Sequence, residues 1–185
     1  MTKLPNILIL LAAVLAVFGA GAFHGIRQLL GAQVDLLPAL MVYTALISGP
    51  PMMITVAVLG GLLFDTLSAN PLGTSVLPLL LVGFLIQQRR DLILREQIYA
   101  QFVLGLLASA VAPALSILIL LTLGQSPLLG WGSLWQWVVM SVGGAVATPV
   151  LFITFGWLNR ALGYQRIIET SFRPDREIRR RRNAP

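Results

Sequence analysis

The sequence predicts an all-α protein, a polytopic membrane helix bundle of six transmembrane helices, on three observations. Charged residues are only 11% of the 185 and apolar residues are 57%, whereas a typical soluble domain is roughly a quarter charged. Residues 4–23, 36–64, 66–88 and 97–159 contain no Asp, Glu, Lys or Arg. These intervals are apolar all round rather than striped at period 3.6, which suits lipid or a bundle interior. The net charge of +6 is also uneven, since eight of the thirteen basic residues lie at position 160 or beyond. A block of that kind bears on orientation and on the membrane surface before nucleic acid.

Residues 4–23 form the expected first span. A cleaved signal peptide is the rival pattern, with Lys3 as its basic start and Ala20-Gly21-Ala22 as its small-residue site. Ala12, Ala16 and Ala20 recur every fourth position, a spacing of small residues that lets another helix approach closely. Residues 36–64 are too long for one straight span and contain Gly49-Pro50-Pro51. Two consecutive prolines lack N–H donors, and the second disfavours helix at the first. A hairpin is therefore expected, with span two over 34–48 and span three over 52–67. Each is short: about 15 residues reach only about 23 Å, against a hydrocarbon core of about 30 Å. Pro38 falls in the first turn of span two, where proline is tolerated.

Ser68 to Gly73 reads as a turn by composition. Span four is expected over 72–86, with Pro78 as a kink. The charged loop at 87–97 holds Arg89, Arg90, Asp91, Arg95 and Glu96. Spans five and six are expected over 98–123 and 134–158. Trp131, Trp135 and Trp137 stand at the start of the last span and Trp157 at its end, as in an interfacial aromatic belt. Six spans put both termini on one side, with Lys3, the arginine loop and the tail; the other side holds Arg27. That asymmetry predicts cytoplasmic termini. Residues 1–158 are thus expected to be the transmembrane domain and 159–185 a cytoplasmic arginine-rich tail. Its run Arg179, Arg180, Arg181 and Arg182 suits anionic lipid, at about 1 kcal/mol per residue near an anionic leaflet.

The chain has no cysteine and one histidine, His24, which excludes thiolate chemistry, disulfides and paired-histidine metal sites. No His-Glu-x-x-His, Gly-x-Ser-x-Gly or phosphate-binding glycine loop occurs. No enzyme and no cofactor are expected. Asp65 is the principal candidate, because a carboxylate in a membrane segment is costly and functional by default. Three roles are open to it: a hydrogen-bond anchor capping the turn before Pro71, a partner contact, or proton or ion handling. Asp35 and Arg27 flank the first outer loop and are expected on a solvated face. Gly60-Gly61 and Gly143-Gly144 offer flat surfaces for the single helix of a partner.

Residues 35–86 resemble MreD, the rod-shape-determining membrane protein family of bacteria. Pro38 opens a short apolar helix containing Tyr43; Gly60-Gly61-Leu62-Leu63-Phe64 closes on Asp65; Pro71-Leu72-Gly73 follows. The arginine tail is longer than the family leads one to expect. The resemblance implies a non-catalytic part of the peptidoglycan elongation machinery in the bacterial cytoplasmic membrane. It implies direct binding to MreC. Through MreC it implies connection to RodA, its penicillin-binding transpeptidase partner and the MreB filament. It also implies a six-helix fold similar to the substrate-binding components of energy-coupling-factor vitamin transporters. The alternative is a small-molecule binding component of a transporter, built around Tyr43, Thr44, Ser48, Thr55, Asp65, Ser75, Ser109 and Ser116. Pockets need only a few polar groups.

Overall fold

The computed structural model describes residues 3–22, 31–68, 70–90, 97–125 and 130–161. His24, Arg27, the Asp91–Glu96 part of the charged loop and the four-arginine run lie outside the described residues. All regular structure among those described is helical: α1 (Lys3–Ala22), α2 (Leu37–Ile47), α3 (Pro50–Ser68), α4 (Val76–Gln88), α5 (Ile98–Thr122) and α6 (Trp131–Ala161).

Among the described residues three helices, α3, α5 and α6, are long and apolar enough to cross a membrane. The apolar stretch of α1 described as Asn6–Gly21, α2 and α4 are shorter. The exterior is apolar along the helices: Leu11 and Phe18, Leu81 and Phe84, Val146 and Ile153 are all exposed. Contiguous exposed apolar surface on this scale does not suit water. It suits a membrane protein.

The shortest of the described helices is the centre of the fold. Helix α2 has 11 residues, a rise of about 17 Å, and packs against each of the other five helices. Every residue from Leu37 to Leu46 is buried. A helix enclosed by protein on all sides need not match the thickness of lipid, which explains how so short an element holds the middle of the bundle. Pro38 lies in its first turn. Tyr43 stacks on Phe155 at 4.5 Å between ring centroids and meets Phe152 edge-on at 4.9 Å. Its hydroxyl hydrogen-bonds with the Asn159 side chain, tying α2 to α6.

The prolines act differently from the sequence expectation. Pro50 and Pro51 start α3 rather than preceding it. The first N–H groups of a helix have no intrahelical acceptor, so proline loses nothing there. The Gly49 carbonyl accepts the first bonds, from Met52 and Met53 at 3.2 and 3.3 Å. Pro78 is the third residue of α4, not a mid-helix kink, because α4 begins at Val76 and residues 72–75 are a turn. Pro113 and Pro149 do lie inside their helices.

The chain runs up and down. Gln33, just before α2, donates its backbone N–H to the Gln136 Oε1 at 3.1 Å, and its Nε2 donates to the Ala20 carbonyl at 2.9 Å. Gln136 Nε2 donates back to the Gln33 carbonyl at 2.9 Å. These bonds join the end of α1, the start of α2 and the early part of α6. At the other end, the Gln87 side chain points its Nε2 at the Ser48 carbonyl across 3.5 Å.

The expected row of α1, Ala12, Ala16 and Ala20, is not its most buried one, although Ala12 packs against the core. Ile9, Ala13 and Val17 are the buried face, while Ala12, Ala16 and Ala20 flank it half-buried. Side chains one residue apart point about 100° from each other on a helix, so the neighbouring row meets the bundle.

Candidate functional site

Helix α3 approaches the start of α4 through two residues one turn apart, Gly61 and Asp65. A Cβ at Gly61 would lie 2.9 Å from Val76 Cα and 3.0 Å from Val76 N, so only glycine lets the two backbones come this close. One turn later, Asp65 is fully buried. Its Oδ2 accepts from the Gly73 N–H at 2.8 Å. Its Oδ1 and Oδ2 share the Ser75 N–H at 3.1 and 3.2 Å. Its own carbonyl accepts from the Asn70 N–H at 3.2 Å.

The carboxylate therefore stands at the N-terminus of α4, where orphan N–H groups and the helix dipole both favour an anion. Gly73 has φ +95°, a conformation that glycine adopts without steric cost. Pro71 contributes its carbonyl, which accepts from the Thr74 N–H at 3.2 Å and from Thr74 Oγ1 at 2.7 Å. The run Gly61, Asp65, Pro71, Gly73 is thus one joint between two helices. Of the three roles open to Asp65, the hydrogen bonds describe the anchor.

Gly60 and Gly61 do not form the flat outer surface expected of them. Both are buried, and Leu37 Cδ2 lies 2.7 Å from where a Gly60 Cβ would be. Gly144 faces Ser109 of α5, and Gly143 faces the Val34 side chain, 2.7 Å from its would-be Cβ. The chain's own residues fill these gaps, because glycine on an interior helix face admits whichever neighbour the topology supplies. The α5–α6 seam is built from Gly105 and Ser109 against Gly144 and Thr148, the small-residue spacing of close membrane helix pairs. Thr148 Oγ1 donates to the Gly144 carbonyl at 2.8 Å.

Behind the Asp65 joint lies a cavity of about 210 Å³, lined in part by Asp35, Phe64, Asn70, Ser75, Ser116 and Met140. Asp35 Oδ1 accepts from the Leu37 N–H at 2.9 Å and caps α2. Asp35 is half-buried, not on a solvated face, because capping the central helix draws it inward. Four polar residues thus face one space in an otherwise apolar bundle. Sequence reasoning missed Gln33, Gln136 and Thr148; each is an uncharged polar residue inside or beside a charge-free interval, which was the available signal.

A scan of protein-family models, a search of curated proteins and a search of solved structures each found no match to this chain.

Proposed function

We propose that this chain is a non-catalytic, multi-pass scaffold of the bacterial cell-wall elongation machinery, an MreD-like protein that binds MreC directly. Through MreC it would join RodA, its transpeptidase partner and MreB. The observation that carries the proposal is the Gly61–Asp65–Gly73 joint. Gly61, Asp65, Pro71 and Gly73 of the MreD-like signature make one helix-to-helix connection, and the Asp65 carboxylate is used in holding it. A bundle whose buried Asp65 carboxylate, in the last turn of α3, is committed to backbone N–H groups is suited to presenting surfaces.

The proposal includes six spans in the cytoplasmic membrane, with both termini cytoplasmic. Helices α2 and α4 are too short to cross alone, but buried residues such as Ala32 and Thr74 extend them within protein, where irregular backbone is tolerated. A fold similar to energy-coupling-factor substrate-binding components belongs to the same proposal.

The test is purification in mild detergent from native membranes, with mass spectrometry of what stays bound. MreC in about equal amount supports the scaffold. Its absence from folded protein, in cells that make it, rejects the scaffold.

The cavity lined by Asp35, Asn70, Ser75 and Ser116 favours a second reading, a small-molecule binding component of a transporter. A bound small molecule together with an ATPase-containing partner, and no MreC, would establish that one.

A further inference from the structure

Helices α4 and α5 diverge enough to leave a groove of about 310 Å³ between them. Buried Val82, Ile86 and Ala108 form its floor, and exposed Leu85 and Leu107 its rims. Its lining is apolar apart from one residue, Arg89, directly after the end of α4. From Val82 to Arg89 the groove runs about 10 Å along the helix axis at 1.5 Å per residue. That is under two turns of helix at about 5.4 Å per turn, too short a seat for a partner helix. It matches the outer two-thirds of one bilayer leaflet, about 15 Å of hydrocarbon.

We propose that this groove holds one acyl chain of an anionic phospholipid, with the headgroup phosphate on the Arg89 guanidinium. The planar guanidinium suits bidentate contact with phosphate oxygens. A basic residue closing a cleft between membrane helices is a headgroup site by the same chemistry. Among the described residues no carboxylate lines the groove, and a net negative headgroup pairs with Arg89, whereas a choline headgroup brings its ammonium beside an arginine. The proposal does not use the four-arginine run at 179–182 and needs only that the bundle stand in lipid. The bland role for Arg89, complementing the negative end of α4, produces no choice among lipids.

The test uses the purified full chain, with phosphatidylglycerol or phosphatidylcholine of identical chains, and native mass spectrometry of retained lipid. Phosphatidylglycerol is expected to be retained about fivefold over phosphatidylcholine. Arg89→Gln should remove the preference. Leu107→Trp, at an exposed rim, should lower retention of both lipids. Replacing Arg179, Arg180, Arg181 and Arg182 with glutamine should leave the preference in place. A preference that survives Arg89→Gln, or one lost with the tail arginines instead, overturns the site. Should a variant fail to fold, the unmodified chain decides. Phosphatidylglycerol with a photoreactive acyl chain should crosslink to the α5 segment around Leu107, and crosslinking only elsewhere overturns the site.

Discussion

The Asp65 carboxylate accepts the Ser75 N–H through both oxygens, at 3.1 and 3.2 Å, across ten residues of chain. A cap of this kind comes from the preceding helix rather than from the capped one. It sets the distance and the angle at which α4 leaves α3. Asp65→Ala should leave the Gly73 and Ser75 N–H groups buried without an acceptor, at about 1–3 kcal/mol. Asp65→Asn keeps one acceptor oxygen and should lose less. Thermal unfolding in detergent measures both; equal melting of Asp65→Ala and the parent would show that water replaces the carboxylate.

Gly60 and Gly61 are adjacent but face different obstacles. A Cβ at Gly60 meets the far end of the Leu37 side chain, which can turn; at Gly61 it meets the Val76 backbone. Overpacking of a tight interior costs about 1–3 kcal/mol, and backbone yields less readily than a side-chain tip. Gly61→Ala should therefore destabilise more than Gly60→Ala. The reverse order in melting temperature would contradict the close approach of α3 to α4.

In α6 the contrast is between Gly144 and Gly156. A Cβ at Gly144 would collide with the Ser109 side chain, while at Gly156 nothing lies within 4 Å. Gly144→Ala should destabilise the α5–α6 seam, and Ser109→Gly in the same chain should recover part of the loss. Gly156→Ala should be neutral or stabilising, by up to about 1 kcal/mol from helix propensity. A neutral Gly144→Ala would mean the seam is looser than its geometry indicates.

The absence of cysteine makes topology directly measurable with single introduced thiols. The proposed six spans with cytoplasmic termini would place Leu72 and Gln125 outside, and Gly49 and Gln88 inside. A membrane-impermeant maleimide added to cells should label Leu72→Cys and Gln125→Cys but not Gly49→Cys or Gln88→Cys. Labelling of Leu72→Cys and Gln88→Cys alike would reject α4 as a crossing.

Much was determined by the sequence alone. Four charge-free intervals mark the helices because an ionised side chain in hydrocarbon is too costly to scatter along a span. Helix α1 and the α5 and α6 pair lie within a few residues of their expected limits. The turn through Pro71 and Gly73 follows from backbone preferences that act locally. Which surfaces lie inside came from the packing of the bundle. Hydropathy is alike for a face in lipid and a face in a bundle, so nothing local marked α2, buried from Leu37 to Leu46, as the hub. Nor could composition say whether Gly61 and Gly144 wait for a partner's helix or receive Val76 and Ser109 of their own chain. Glycine specifies only that something comes close. Which neighbour fills the space is set by the packing of all six helices together.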